Sequence, residues 1–245
     1  MNTSTLTVLG ALCLASFVGS SSAAVVVASD NATNYGSGWS NGSNGGTGFT
    51  AWNLSSGNGG WFRGAASAQG PNSGAIDTSG NSFGMWADGY VTAQRGFASA
   101  LGVGDVFSFD MAYKWDNGNR GFTLSNAGSE VFNFNVNSSG YSWSGGGSAG
   151  STPWVGAREN GVAIDVAITR TSSGFSFTMT SAQGLSASGS VAVAGFDSFK
   201  LYVSGAGGGE GGNLYANSFL VTAVPAPGAI ALLGVAGLVG ARRRR

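Results

Sequence analysis

Acidic side chains are considered first, because hydrolysis of a glycosidic bond needs two carboxyl groups facing one groove. The chain between its two ends carries only the glutamates Glu130, Glu159 and Glu210, which lie far apart in the sequence. Asp105 and Asp110 are closer, but an odd separation puts them on opposite faces of a regular strand. The sequence therefore predicts no catalytic carboxylate pair and no enzyme activity.

The seven tryptophans are the second candidate group, because an exposed indole ring can stack on the C–H face of a sugar. Trp52 and Trp86 lie in strand-like alternation and are predicted to be core residues. Burial is also the alternative for the remaining rings, since large β domains bury aromatic side chains routinely. Four of these lie in or beside turns rich in glycine, asparagine and proline and are predicted to contact glycan: Trp39, Trp61, Trp115 and Trp154.

Oxygen ligands in turns favour calcium over other metals. Asp116, Asn117 and Asn119 form the best local set, and their Asp-Asn-Gly-Asn sequence is equally typical of a tight hairpin. The chain has no histidine, and its single cysteine, Cys13, lies in the apolar N-terminal segment. Zinc sites and histidine-based triads are therefore excluded, and no cofactor other than calcium is expected.

The charge balance bears on the class of partner. The 11 basic and 11 acidic residues balance, but four of the arginines are the last four residues of the chain. Without them, seven basic residues stand against 11 acidic ones, which leaves the rest of the chain near −4. Few cations remain to neutralise phosphate groups, so nucleic acid is excluded as a partner.

Period-two alternation of apolar and polar residues recurs through the centre of the chain and predicts half-buried strands. It is clearest at 106–113, 131–137, 162–169 and 175–179. Further strands are predicted at 50–54, 82–86, 91–97, 121–125, 186–193, 198–203 and 214–222. No stretch has helical periodicity long enough for a crossover helix. We therefore predict one all-β domain over residues 25–222, an antiparallel jelly-roll β-sandwich.

The N-terminal segment is apolar from Leu6 to Val18 and then runs into small residues up to Ala24. This order is typical of a secretory signal peptide. We predict a signal helix over residues 1–24, passage through the Sec translocon, and cleavage by signal peptidase after Ala24. Cleavage after Ala23 is the near alternative, and a buried N-terminal strand of an intracellular protein is the other.

The C-terminal segment, residues 223–245, has three parts. An apolar stretch at 228–241 is shorter than the roughly 20 residues of a stable transmembrane helix, and terminal arginines favour the cytoplasmic side. We therefore predict a short transmembrane helix that holds the exported domain at the membrane. The flanking residues are Val224, Pro225, Ala226 and Pro227 before the stretch, and Arg242, Arg243, Arg244 and Arg245 after it.

This arrangement of a Val-Pro-x-Pro motif, a short Gly/Leu/Ala-rich helix and a terminal arginine cluster resembles the PEP-CTERM sorting signal, in a Val-Pro-Ala-Pro variant. The resemblance implies that an exosortase, a membrane-embedded cysteine peptidase, cuts near the motif. The protein would then be released to the cell surface or to an exopolysaccharide matrix. An ordinary tail anchor that is never processed is the alternative.

The central domain resembles concanavalin A-like sandwiches of lectins and glucanases. The resemblance is carried by the Gly104-Asp105 entry into an aromatic strand, the Asp-Asn-Gly hairpin at 116–118, and the glycine-rich loop 207–212 before Leu214. It implies a fold and no particular activity. We expect a non-catalytic, exported cell-surface or matrix protein associated with exopolysaccharide. A lectin-like carbohydrate-binding module with calcium-supported loops and a secreted glycan-active enzyme are the alternatives.

Overall fold

The computed structural model of the chain describes residues 24–36, 38–115, 117–154 and 158–224. Within these ranges no helix is long and apolar enough to cross a membrane. The signal segment up to residue 23 and the sorting segment from residue 225 onwards lie outside the described residues. The strands are β1 (Val25–Asp30), β2 (Asn53–Gly64), β3 (Ser82–Gly96), β4 (Val106–Tyr113), β5 (Asn119–Asn126), β6 (Ser129–Asn137), β7 (Gly140–Gly145), β8 (Ser148–Thr152), β9 (Val162–Thr171), β10 (Gly174–Thr180), β11 (Ser186–Val191), β12 (Ser198–Ser204) and β13 (Leu214–Ala223).

Helical structure in the described ranges is confined to single 3-10 turns. They lie in the connections between strands, where they shape the loops. Their bounds are Ala32–Asn34, Ala66–Gln69, Ser73–Ile76, Arg158–Asn160 and Glu210–Gly212.

The strands pair antiparallel in one continuous sheet of order β11-β10-β9-β4-β13-β3-β12-β5-β6-β7-β8, with β1 on β13 and β2 on β3. β3 belongs to both halves of this sheet. Its residues 83–85 pair with β13, whereas residues 90–96 pair with β12. The register of β2 on β3 shifts between Gly57 and Gly59, where the two halves meet.

Aromatic side chains show that the two halves pack face to face. Phe109 of β4 lies edge-on to Phe122 of β5, with ring centroids 5.0 Å apart, although these strands are not neighbours in the sheet. Phe177 of β10 contacts Phe132 of β6 at 4.9 Å and Trp143 of β7 at 5.0 Å. The sheet therefore folds over into a sandwich with an aromatic core. The predicted all-β antiparallel sandwich is confirmed.

Alternation decides which side chains enter this core. Phe107, Phe109, Met111 and Tyr113 of β4 are buried, as predicted, and burial of a large apolar side chain contributes about 1.5–3 kcal/mol. The prediction of separate strands at 82–86 and 91–97 is wrong. β3 is a single strand because β2 pairs with its first part, residues 82–87, and with its second part, residues 90–94.

Candidate functional site

The loop after β1, the end of β2 and the start of β3 form an open cleft of about 450 Å³, which we call the tryptophan cleft. Two of the four tryptophans predicted to contact glycan lie on it, although they are far apart in the sequence. The cleft is lined by Gly36, Gly38, Trp39, Trp61, Phe62, Arg63 and Asn81.

Trp39 is the buried member of the cleft. Its ring is only 4% exposed and packs edge-on against Trp52 at 5.2 Å and tilted against Phe83 at 4.8 Å. The indole Nε1 is buried and has no hydrogen-bond partner among the described residues. The exposure expected from the glycine-rich surroundings of Trp39 is therefore wrong, because the loop folds this ring into the core.

Trp61 is the accessible indole of the cleft. It lies in β2 opposite Met85 of β3 and packs against the core while remaining partly exposed. A ring held in this way keeps one edge on the core and offers apolar surface to a ligand. Such a surface suits the C–H face of a sugar ring.

Arg63 brings the polar groups of the cleft together. Its Nη1 donates to the carbonyl oxygens of Tyr35 and Gly36, the second at 3.0 Å, and its Nη2 donates to Asn81 Oδ1 at 3.2 Å. The single ion pair among the described residues does not involve Arg63. The cleft therefore combines an indole surface with a guanidinium and an amide that bond to protein groups, and the Nδ2 of Asn81 donates to the carbonyl oxygen of Ser79 at 2.9 Å. A ligand hydroxyl would use the lone pairs and N–H groups that these bonds leave over.

A buried ion pair fixes the loop that forms one side of the cleft. Arg95 of β3 and Asp30 of β1 form the pair, and both side chains are almost completely buried. Arg95 also donates to Asn44 Oδ1 at 2.6 Å and to the carbonyl oxygen of Gly45 at 2.8 Å. Tyr35 donates to Asp30 Oδ2 at 2.7 Å, and burial, together with this hydrogen bond, raises the pKa of Tyr35.

Trp115 lies against the glycine-rich loop before β13. Its backbone N–H donates to the carbonyl oxygen of Gly211 at 3.0 Å, and a side chain at Gly211 would meet the indole at 2.4 Å. The ring is 48% exposed. The exposure expected of Trp115 is thus present, at a place that does not line the tryptophan cleft.

Trp154 is held by protein groups. Its ring packs against Tyr113 at 5.8 Å and Tyr141 at 5.1 Å, and the guanidinium of Arg158 lies over it at 4.7 Å. Its Nε1 donates to the carbonyl oxygen of Ser138 at 3.2 Å. A face covered by a guanidinium is not open to a sugar, so Trp154 offers less surface than Trp61 or Trp115.

The predicted calcium ligands do not form a cluster of free oxygens in the part of the chain that is described. Asp116 lies outside the described residues. Asn117 Nδ2 donates to the carbonyl oxygen of Ala206, and Asn119 Oδ1 accepts from Asn135 Nδ2 at 2.9 Å. Across the described ranges, no group of three or more His, Cys, Asp or Glu side chains is placed to hold a metal ion. Calcium at this hairpin stays a prediction.

The predicted processing sites lie at the edge of the described chain. Ala24 and Val224 are both exposed, directly before β1 and directly after β13. The rest of the sorting signal, 225–227 and 242–245, lies outside the described residues.

The structure brings together two acidic side chains that the sequence analysis did not pair. Asp110 of β4 lies directly opposite Asp165 of β9. Asp105, the other aspartate close to Asp110 in the sequence, does not join this pair. Its carboxylate accepts a hydrogen bond from the backbone N–H of Gly102 at 2.7 Å. Burial raises the pKa of the Asp110 carboxyl, a hydrogen bond from Ser218 opposes this, and the Asp165 charge raises the pKa further. Both aspartates alternate with apolar residues in the segments 106–113 and 162–169, but only the strand register brings them together.

Asp110→Asn is expected to raise the free energy of unfolding at neutral pH by about 0.2–1 kcal/mol, because it removes a charge that burial disfavours and that lies opposite the like charge of Asp165. The folded-state pKa lies above the ordinary 3.8, so the folded state binds the proton more tightly. Stability is therefore lost as the pH rises from the ordinary pKa of an aspartate to the higher pKa of Asp110 in the folded state. Thermal unfolding near neutral pH should show a higher Tm for the variant.

The control for this prediction is acid pH, where both carboxyl groups are protonated and the difference in Tm should disappear. Asp165→Asn removes the other charge and should behave alike. An identical difference in Tm at neutral and acid pH would contradict the repulsion.

No protein-family model matches the chain, and no curated protein matches it. Among solved structures, a sialidase is similar at 11% identity and a TM-score of 0.44, over 71% of this chain and 17% of that one. Peanut lectin with a nine-residue peptide is similar at 14% identity and a TM-score of 0.40, over 68% of this chain and 98% of that one. An alginate lyase of polysaccharide lyase family 7 is similar at 10% identity and a TM-score of 0.37, over 66% and 93%. The chain thus spans only a small part of the sialidase, and at these values the likenesses carry no argument about what the protein does.

Proposed function

We propose that the protein is an exported, non-catalytic component of the cell surface or extracellular matrix that associates with exopolysaccharide through the tryptophan cleft. The observation that supports the glycan contact is the convergence of Trp61, Arg63 and Asn81 on one open cleft. Ligand sites of this kind combine an apolar wall with a few polar groups that fix orientation.

The proposed export rests on the two ends of the sequence. Signal helix 1–24 directs the chain through the Sec translocon, and signal peptidase cleaves after Ala24. Tail 223–245 then holds the chain at the membrane by its short helix until an exosortase cuts near the Val-Pro-Ala-Pro motif. The bounds of the sandwich support this division, because β1 begins at Val25 and β13 ends at Ala223.

We assign the sandwich to the jelly-roll type. Strands that are neighbours in the sheet are often distant in sequence, such as β4 between β9 and β13, and β12 between β3 and β5. Greek-key connections produce orders of this kind.

A glycan-active enzyme is the second candidate, and the Asp110–Asp165 pair is the observation that favours it. Residues directly opposite in an antiparallel sheet have Cβ atoms about 4.5–5.5 Å apart, so the two carboxyl groups share one face of the sheet, and two carboxyl groups facing one groove are what a glycosidase needs. Release of reducing ends from the exopolysaccharide by the wild-type protein, lost in Asp165→Asn, would overturn the non-catalytic role.

Trp61→Ala is expected to weaken binding to exopolysaccharide purified from the producing cells by about two- to tenfold, since an aromatic stacking contact contributes roughly 0.5–1.5 kcal/mol. The protein is recovered from those cells, and its affinity is measured by affinity electrophoresis in gels containing the polysaccharide. Intact mass of the same preparation tests the route. Loss of residues 1–24 and of the segment after the Val-Pro-Ala-Pro motif supports it, and retention of the terminal arginines would contradict it.

Two matched variants test whether the effect belongs to the cleft. Trp61→Phe keeps a ring in place and should retain most of the binding. Tyr90→Ala removes an aromatic side chain that is exposed elsewhere on β3 and should bind like the wild type. Equal mobility of Trp61→Ala and the wild-type protein would rule out the cleft as the glycan site.

A further inference from the structure

The end of the sandwich where the first and last strands meet is apolar and exposed. The loop between β3 and β4 that carries Val103 lies beside the C-terminal end of β13, since a side chain at the next residue, Gly104, would stand 3.9 Å from the Cβ of Val224. In the described ranges the other exposed large apolar side chains are Tyr90 and Trp115. We define the valine end as Val25, Val26, Val27, Val103 and Val224, each between 49% and 66% exposed.

Strand pairing creates the valine end. Val25 lies opposite Ala223 and Val26 opposite Thr222, so the first strand starts where the last one stops. β1 pairs with no strand other than β13 among the described residues. The bridge from Ser29 to Thr47 and the close approach of Gly48 to Val27 cover the outer edge of β1 from Val27 onwards. The edge beside Val25 and Val26 pairs with no further strand among the described residues, and an open apolar edge is a surface that a partner covers.

A pocket of about 210 Å³ extends the apolar surface inward from this end. The carboxylate at its rim, Asp105, is held by the backbone N–H of Gly102 at 2.7 Å. The apolar side chains that line the pocket include Val27, Phe97, Leu101, Val221 and Ala223.

We propose that the valine end rests on the lipid bilayer while the chain is attached through its tail. Only residues 225–227 separate Val224 from the apolar stretch 228–241, and three residues span at most about 10 Å. An exposed apolar surface tethered this close to lipid has the bilayer as its nearest apolar partner, and its transfer out of water is favourable. The inference rests on the proposed membrane attachment of the tail.

Lipid is favoured over a second copy of the chain by the point at which the tail joins the sandwich. The N-terminal apolar segment from Leu6 to Val18 precedes β1, and the C-terminal one follows β13. Because Val25 pairs with Ala223, both segments join the sandwich at the valine end. A second copy docked there would occupy the end of the sandwich to which the membrane-attached tail is joined.

A fluorescent label at the valine end tests the proposal. The chain that begins at Val25, as signal peptidase would leave it, lacks Cys13, so that Val103→Cys supplies the sole thiol for an environment-sensitive dye. This form, with its tail, is reconstituted into phosphatidylcholine vesicles. Emission is expected to shift to shorter wavelength and to be quenched when the lipid is brominated. The matched control is Ser139→Cys, an exposed position in the turn between β6 and β7, whose label should show neither effect.

The outcomes separate the proposed membrane attachment of the tail from the proposed lipid contact of the valine end. A chain that does not float with the vesicles would overturn the membrane attachment and, with it, the contact of the valine end. A chain that floats while both labels behave alike would overturn only the contact. Self-quenching of the Val103 label in lipid-free detergent would assign the valine end to a second copy and would also overturn it. Loss of the Val103 effects in a Val26→Asp variant that still floats would support the proposal.

Discussion

Replacement of Arg95 by methionine is expected to lower the free energy of unfolding by about 3–5 kcal/mol, because it leaves a buried carboxylate without its cation. Asp30 is 2% exposed and keeps neutral donors from Tyr35 and Asn34, at 2.7 and 2.9 Å. These hydrogen bonds supply no compensating charge. The substitution also removes the guanidinium that lies 5.2 Å from the centroid of the Trp52 ring. Urea denaturation near neutral pH measures the loss.

Two variants separate the ion pair from the volume of the side chain. Arg95→Met combined with Asp30→Leu should recover most of the loss, since apolar replacement of both partners of a buried pair is often close to neutral. Arg170→Met removes a partly exposed guanidinium that bonds backbone carbonyl oxygens such as that of Ala194, and it should cost less. An Arg95→Met variant no less stable than Arg170→Met would show that the pair contributes little.

A second buried polar group that holds the loops of the tryptophan cleft is Asn217. This residue is fully buried and lies where the register of β13 on β4 shifts. Its Nδ2 donates to the carbonyl oxygens of Ile76 and Asn81 at 2.8 and 2.9 Å, and its Oδ1 accepts from Ala32 N–H at 3.0 Å. The last strand therefore positions loops that come from two earlier parts of the chain. Such buried polar contacts between distant residues leave no local pattern in the sequence.

Alternation was enough to predict the central strands. The segment 106–113 is β4 with the expected bounds, and the alternating runs at 131–137, 162–169 and 175–179 lie within β6, β9 and β10. Each carries apolar residues at every second position, and each buries those residues. The sequence alone is enough to predict a half-buried antiparallel strand, because one face of the strand packs on the core and the other faces water.

Two strands rich in glycine and serine, β7 and β8, were not predicted, whereas β11, which is also rich in serine, was predicted within 186–193. β7 and β8 have few apolar residues, and their pairing depends on β6 and on Trp143, whose ring lies 2.5 Å from the position of a side chain at Gly150. β3 is continuous through Asp88 and Gly89 although both residues favour turns. In each case a neighbouring strand overrides the local preference.

The site residues were likewise predicted only in part. Turn-rich surroundings predicted the exposure of Trp115 correctly and that of Trp39 wrongly, because exposure depends on where the loop packs. Trp39 is buried since its loop folds back on Trp52 and Phe83. The Asp110–Asp165 pair needed the register of β4 on β9, which the alternating pattern of each strand leaves open.

Phe199→Ala is expected to lower the free energy of unfolding by about 3–5 kcal/mol, because the substitution leaves a cavity that the surrounding rings cannot fill. Phe199 of β12 is 1% exposed and belongs to the half of the sheet opposite β4 and β13. Removal of its ring therefore loosens both halves of the sandwich together. The rings that it contacts are those of Phe49, Trp52, Phe97, Phe107, Phe109 and Phe219.

Phe199→Leu is the matched control, since it removes less volume and leaves a smaller cavity. Its expected loss lies between the wild-type protein and Phe199→Ala, in proportion to the cavity that remains. Urea denaturation of the three proteins gives the free energies, and an unchanged denaturant slope shows that the same surface unfolds in each. Alanine and leucine variants of equal stability would mean that the rings close around the vacated space, and that the aromatic core is not packed as tightly as the contacts of Phe199 require.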